Sequence, residues 1–242
     1  GAAMNEGARS AALGVAGAPG LAEEVHVARD LLIARESGKA FHLAHLSTAT
    51  SLELVRFARG LGARVTCEAT PHHLLLDDGR IAGFRADAKV NPPLRGPADV
   101  AALRAAVRDG TIDVLASDHA PHAREEKELL LGEAPFGFSG LECALGAYAL
   151  ALAELPLARF VELCSTNPAR ILGVAGGSLR IGTPADLTIF ADRSLRVETT
   201  RWYSRGKNSP FEGMTLPRRA LATIVGGRLL AREGALLAAA AR

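Results

Sequence analysis

The sequence predicts an α/β protein in which a parallel sheet flanked by helices is followed by a small β-domain. Three observations carry this. Apolar strand-like runs alternate with helical periodicity from residue 21 to residue 172. Polar residues cluster where those strand-like runs end, as at His45 and Asp118. After Gly173 the pattern changes to short β-like runs punctuated by Gly176, Gly177, Gly182, Pro184, Gly226 and Gly227.

Taken in order, residues 21–36 have the 3.6-residue apolar repeat of a helix, and Gly38 supplies its stop. Residues 40–46 read as a short buried strand. Ser47 and Thr48 are placed to cap a helix over 51–60, ended by Gly62. Residues 64–70 form the next strand, 99–109 a helix stopped by Gly110, and 112–117 an apolar strand that runs into Asp118. Helices are expected over 140–152 and 157–164. A further helical turn is expected at 167–172, where Pro168 suits a first helical position. Strands over 187–191 and 222–229 complete the tail. The expected division is a first part over residues 1–172 and a β-domain part over 173–242.

Composition narrows the function. The chain has 242 residues, 48% hydrophobic and 22% charged, within the range of a globular protein. Lys plus Arg number 28 against 26 Asp plus Glu, and the net charge of +2 shows no basic stripe, which argues against a nucleic-acid partner. Apolar stretches are too short or too interrupted by charge to span a bilayer, and the Ala-rich start lacks the basic-then-apolar order of a signal peptide. Cys67, Cys143 and Cys164 lie far apart and are expected to be buried free thiols in a reducing cytoplasm.

The residues that could carry chemistry sit at the strand ends and in the loops after them. In parallel α/β barrels the carboxyl ends of strands hold the site, and imidazole and carboxylate together suit a first-row metal ion. His45 reads as a metal ligand or as a satisfied core histidine. Asp118 reads as a ligand or as a turn-forming aspartate. His122 follows Pro121, which argues against a helical pair of ligands, so it is better placed to touch a substrate or simply to lie on the surface. Asn91, in Lys-Val-Asn-Pro-Pro-Leu-Arg, offers a donor and an acceptor that match an amide-like ring. Phe136-Gly137-Phe138-Ser139-Gly140 is a glycine-rich turn before a helix, whose backbone could approach a small ligand or merely start the helix. His72 and His73, read as adjacent residues of an extended segment, point opposite ways and are expected to be structural or to support the site from behind; His26 and His42 are expected to be non-catalytic.

Four segments in this order, His-Leu-Ala-His-Leu-Ser, Val-Thr-Cys-Glu-Ala-Thr-Pro-His-His-Leu, Lys-Val-Asn-Pro-Pro-Leu-Arg and Ala-Ser-Asp-His-Ala-Pro-His, resemble the bacterial multi-motif dihydroorotases of the amidohydrolase superfamily. Pro-Phe-Gly-Phe-Ser-Gly-Leu-Glu, Thr-Asn-Pro-Ala-Arg-Ile-Leu-Gly and Gly-Thr-Pro-Ala-Asp-Leu-Thr-Ile-Phe agree with them, and Met4-Asn5-Glu6-Gly7 looks like an internal segment of that family, so the resemblance covers essentially the whole chain. It implies the C-terminal portion of a TIM-like (β/α)8 metal-dependent hydrolase barrel with part of a small β-sandwich domain. It implies zinc, one ion or two, with His45 a ligand from the sixth barrel strand and Asp118 a ligand from the eighth and the catalytic acid/base. Asn91, His122 and the backbone at Phe136 and Gly137 match substrate-binding positions. The implied reaction is the reversible hydrolysis of dihydroorotate to N-carbamoyl-L-aspartate in pyrimidine synthesis, in the cytoplasm. The zinc would activate water and polarise the ring carbonyl, while Asp118 moves a proton to the leaving nitrogen.

The family's His-x-His pair, its bridging carboxylate or modified lysine and its fifth-strand histidine have no counterpart in this chain. Two ligands fall short of the usual three protein ligands of a catalytic zinc. The expectation is therefore a C-terminal fragment or one chain of a split enzyme, with little activity alone. A homodimer and an association with aspartate carbamoyltransferase are the expected kinds of assembly. Two other readings stand beside this one: a related cyclic amidase (dihydropyrimidinase, hydantoinase or allantoinase), and a non-catalytic dihydroorotase-like subunit that scaffolds aspartate carbamoyltransferase.

Overall fold

The computed structural model describes residues 2–81 and 83–237; the last five residues of the expected β-domain part lie outside it. The chain opens with a short parallel pair, β1 (Met4–Asn5) and β2 (Gly17–Ala18), around helix α1 (Ala8–Leu13). It continues through α2 (Gly20–Ser37), β3 (Phe41–Leu43), α3 (Ala49–Gly60), β4 (Val65–Ala69), α4 (Pro71–Leu75), α5 (Pro97–Asp109) and β5 (Val114–Leu115). Strands β3, β4 and β5 form one parallel sheet in that order, with Leu43 opposite Cys67 and Ala69 opposite Leu115. Helices cover its outer face: Val27 and Leu31 of α2, Leu52 and Val55 of α3, and Leu103 and Val107 of α5 pack into one core with Cys67 and Ala69.

Local chemistry sets the boundaries. Thr48 caps α3 by accepting the Ser51 N–H, and Thr70 caps α4 by accepting the His73 N–H, with Pro71 at the first helical position. Helix α2 stops at Gly38 and α5 at Gly110, both left-handed. The expected strands over 40–46 and 112–117 are shorter in the ladder because His45 and Asp118 have φ of 55° and 45°, which turns the chain out of the sheet. The expected extended segment around His72 and His73 is instead the short helix α4, because Thr70 and Pro71 start one there.

Helices α6 (Arg124–Lys127), α7 (Leu141–Ala151), α8 (Leu157–Val161) and α9 (Asn167–Leu172) follow, α8 and α9 being joined by a π-helical stretch over Glu162–Thr166. The two helices expected over 157–172 are therefore one irregular run. Pro168 lacks an N–H, and the ladder is re-set just before it. Cys164 lies in that stretch and is exposed, whereas Cys67 and Cys143 are buried as expected.

Beyond Gly173 the structure is built of strands β6 (Leu187–Ala191), β7 (Leu195–Arg196), β8 (Thr215–Leu216), β9 (Arg219–Val225), β10 (Arg228–Arg232) and β11 (Ala235–Leu236). The single run expected over 222–229 is a hairpin, because Gly226 and Gly227 both have positive φ and turn β9 into β10. Strands β6, β9, β10 and β11 make an antiparallel sheet. The β7–β8 segment does not join it. Val197, Phe211 and Leu216 are buried instead with Met4, Val90, Leu94 and Phe138 in a second core.

Gly146 is where helix α7 meets the loop between β8 and β9. A Cβ there would lie 2.7 Å from the Arg218 carbonyl oxygen and 2.8 Å from Leu216 Cβ. Gly146→Ala is expected to destabilise the chain by about 1–3 kcal/mol through overpacking. Urea unfolding of the two proteins measures it; an unchanged midpoint would show that this contact yields without cost.

Candidate active site

The site begins with two residues held in an uncommon backbone conformation. Among the described residues only three non-glycine residues have positive φ: His45, Asp118 and Glu233. Two of the three, His45 and Asp118, lie just past the ends of β3 and β5. The left-handed turn costs conformational energy for a side chain with a Cβ, and such strain concentrates at functional positions. Here it swings the imidazole and the carboxylate above β4, where His45 Nε2 lies 3.5 Å from Asp118 Oδ1.

Strand β4 and its following helix supply the groups on either side. Glu68, buried in β4, places Oε1 2.6 Å from His45 Nδ1, an ion-pair contact outside hydrogen-bond geometry at that ring nitrogen. Its Oε2 is hydrogen-bonded to His42 Nε2 at 3.0 Å, and His42 Nδ1 pairs with Thr66 Oγ1 at 2.8 Å. Burial alone would raise the Glu68 pKa, but the two imidazoles outweigh it and pull the carboxyl down to about 2. The His45 pKa is raised, mainly by Glu68 and against the effect of burial, with Asp118 adding to it. The Asp118 pKa is raised by burial first; His45 opposes this and the Glu68 charge reinforces it. His42, expected to be non-catalytic, is thus tied to the site through Glu68.

His72 and His73 part company. His73 is bonded through Nδ1 to Thr70 Oγ1 at 2.7 Å and through Nε2 to the Pro92 carbonyl at 2.9 Å, which fixes α4 against the Asn91–Pro93 loop. Burial, the largest cause, pushes its pKa down to about 4. His72 is fully buried with neither ring nitrogen hydrogen-bonded among the described residues, and its Nε2 faces Asp118 Oδ2 at 3.7 Å. An unpaired buried polar group of this kind costs about 1–3 kcal/mol. Asn91 is exposed beside this loop.

The segment after Asp118 folds back on itself. His119 Nδ1 accepts the backbone N–H groups of Gly140 and Leu141, both at 3.2 Å, and so holds the start of α7; sequence reasoning assigned it nothing. His122 Nε2 is 2.8 Å from the Phe136 carbonyl oxygen. The Gly137 N–H donates to the Lys89 carbonyl, and the Gly137 carbonyl accepts from Lys127 Nζ at 2.8 Å. The turn expected to meet a ligand through its backbone therefore has most of its polar groups engaged within the chain. The Phe136 and Phe138 N–H groups are the backbone donors there without a partner among the described residues. Gly137 has φ of 112°, and a Cβ would fall 2.6 Å from Ala120 Cβ and 3.2 Å from His122 Nε2, so only glycine lets these loops approach.

Two lysines that sequence reasoning passed over clamp this turn. Lys127 is buried and its Nζ also donates to the Pro135 carbonyl at 2.9 Å; Lys89, equally buried, donates to the Leu131 carbonyl at 2.6 Å and sits 4.6 Å from the centre of the Phe136 ring. Lys127 stands in the charged run Arg-Glu-Glu-Lys-Glu and Lys89 in Ala-Asp-Ala-Lys-Val-Asn, and neither context distinguishes a buried ammonium from an exposed one.

The donors at 45 and 118 suit a divalent cation: one free imidazole nitrogen and one carboxylate converge from separate strands, on backbone strained to bring them there. They supply part of a ligand set. Among the described residues no group of three or more His, Cys, Asp or Glu side chains is arranged to hold a metal ion, and no helix is long and apolar enough to cross a membrane.

A barrel-type parallel sheet with polar residues gathered at its strand ends is the architecture of the amidohydrolase family, whose profile matches residues 6–230, and the chain belongs to that family. The chain is 48% identical to a dihydroorotase from Pelotomaculum thermopropionicum, over 96% of this chain and 56% of that protein. It is 45% identical to a dihydroorotase from Syntrophus aciditrophicus, over 95% of this chain and 55% of that protein. Among solved structures it superimposes on a D-hydantoinase (dihydropyrimidinase) from Thermus sp. with a TM-score of 0.83 at 25% identity, and on an L-hydantoinase (dihydropyrimidinase) from Arthrobacter aurescens with a TM-score of 0.81 at 31% identity; each match covers 89% of this chain and 50% of the other. The chain spans about half the length of the curated relatives it matches.

Burial, the largest cause, and the neighbouring Lys89 charge push the Lys127 pKa down to about 8 from 10.5. The unfolded chain therefore holds this proton over a range where the folded chain has released it, so the group lowers stability fully below pH 8 and progressively less as the pH rises toward 10.5. Chemical unfolding is expected to show stability gained across that interval, and Lys127→Met is expected to flatten the gain. A pH profile identical in the two proteins would remove Lys127 from this role.

Proposed function

We propose that this chain carries the acid/base half of a dihydroorotase site, which opens dihydroorotate to N-carbamoyl-L-aspartate and closes it again. The observation that supports this most is the convergence of His45 and Asp118, 3.5 Å apart, on left-handed backbone at two strand ends. The dihydroorotase relatives at 48% and 45% identity support dihydroorotate as the substrate.

His45 and Asp118 would hold zinc together with ligands from outside this chain. When bound, the ion supplies a Lewis acid that polarises the ring carbonyl and makes water a better nucleophile near neutral pH. Asp118 does the proton work. Its carboxylate accepts a proton from the attacking water as the water oxygen adds to the ring carbonyl carbon. It returns that proton to the ring nitrogen as the carbon–nitrogen bond breaks, leaving an open carbamoyl group and a new carboxylic acid, which ionises to the carboxylate by releasing water's second proton to solvent. Asn91 and His122 orient the ring and its carboxylate, and the Phe136 N–H offers a further donor. Residues 1–172 are the barrel part in this reading and 173–242 the β-domain part. Synthesis of pyrimidines, a cytoplasmic location, a homodimer and a docked aspartate carbamoyltransferase belong to the same proposal.

Hydrolysis of related cyclic amides is the second reading, favoured by the hydantoinase superpositions. A substrate panel separates the two: dihydroorotate, dihydrouracil, hydantoin and allantoin, offered with Zn2+ to this chain and to the same chain carrying whatever coding sequence precedes it. Dihydroorotate is expected to be the substrate turned over, with little turnover by this chain alone. In the active form, Asp118→Asn should lower kcat by about 10²–10⁴-fold with a small change in KM. Preferred turnover of hydantoin would replace the substrate assignment, and full activity of the Asp118→Asn protein would remove the acid/base assignment.

A further inference from the structure

The mechanism above leaves one buried imidazole unused. His72 is walled by the edge of Phe138, with ring centres 4.9 Å apart, and by His73 at 4.4 Å. Neither wall offers it a hydrogen bond, and both of its nitrogens are unpartnered among the described residues. Buried polar groups are paired almost without exception, so an unpaired one calls for an explanation. The charged atom it faces is Asp118 Oδ2, 3.7 Å from Nε2 and just beyond hydrogen-bond reach. The ring is fully buried, which disfavours a charged imidazole, and a neutral ring carries one N–H.

Asp118 has two oxygens with different surroundings. Oδ1 faces His45 Nε2, and Oδ2 faces His72. We infer that His72 is a positioning residue for Asp118: its Nε2–H points at Oδ2 and donates to it, holding the carboxylate plane while Oδ1 stays turned toward His45. Glu68 stands in the corresponding place behind His45, so each member of the pair has one support, and both supports come from β4 and the helix after it. A small shift of the carboxylate closes the 3.7 Å gap, and His72 is the more fixed partner because packing surrounds its ring. The inference rests on Asp118 as the reacting group, but its geometry can be tested without turnover.

The tautomer of His72 decides the matter, because the nitrogen that carries the proton is set by the bond the ring makes. In the 15N-labelled chain, long-range proton–nitrogen correlations of His72, identified by their loss in His72→Gln, are expected to show Nε2 protonated and Nδ1 bare. Asp118→Ala should then move the ring toward a mixture of both tautomers by removing the acceptor. A ring protonated at Nδ1, with a bare Nε2 facing the carboxylate, overturns the proposal. So does a tautomer that Asp118→Ala leaves unchanged. If Asp118→Ala fails to fold, the wild-type tautomer still decides. A failed substrate panel leaves this spectrum unaltered, and a contrary spectrum leaves the substrate assignment standing.

Discussion

The structure turns on a backbone constraint at two positions. His45 and Asp118 take left-handed turns just past their strands, whose ladders end at Leu43 and Leu115. Without those turns the side chains would keep the alternation of a strand and point to opposite faces of the sheet from their neighbours. With them, an imidazole and a carboxylate from strands on either side of β4 meet 3.5 Å apart. Everything else in the site is fitted around that meeting, from Glu68 below His45 to the loop that carries Asn91.

Such turns need anchorage, and the chain provides it mostly through loops. Glu23 of α2 accepts from the Ser47 and Thr48 N–H groups and from the Ser51 hydroxyl, which fixes the segment just after His45. Arg95 adds the Ser47 hydroxyl and the Ala18 carbonyl to the same network, joining β2 to the start of α3. After Asp118, His119 and the two lysines do comparable work on the far side. Loops that run over a surface are commonly mobile; these are pinned from several directions, which lets strained residues persist inside them.

The sequence made the strand ends and the chemistry legible, and less of the local geometry. His45 and Asp118 could be read because a polar residue closing an apolar run is conspicuous. The helices over 21–36, 51–60 and 99–109 could be read because their stops and caps are ordinary ones. Helix α4 was hidden because Thr70-Pro71 was taken as the end of a strand and not as a cap with proline in the first turn. The hairpin at Gly226-Gly227 was taken as punctuation in one strand, since two short apolar runs of equal period look continuous. Lys89 and Lys127 were invisible because burial of an ammonium depends on distant carbonyls, at Leu131, Pro135 and Gly137, that no spacing rule brings together. His72 was judged by the wrong local structure, and its place beside Asp118 follows from tertiary packing of α4 against Phe138.

The three-stranded sheet explains how the His45–Asp118 pair can be well formed in a chain that matches about half of each relative. The groups that orient His45 and Asp118 are all carried by β4, α4 and the loops next to them, so their order does not depend on elements outside this chain. Among the described residues no third His, Cys, Asp or Glu joins the pair in a group arranged to hold a metal ion. Elsewhere on the surface, Leu21, Val25, Leu32 and Ile33 of α2 stand exposed, while Val27, Leu31 and Ala34 of the same helix are buried. A helix apolar on both faces is the signature of an element meant to be covered twice. The side chains that face the pair, Glu68 and His72, are supplied by the chain itself. That arrangement matches a family in which ligands are distributed among the strands of one barrel, each strand bringing its own support.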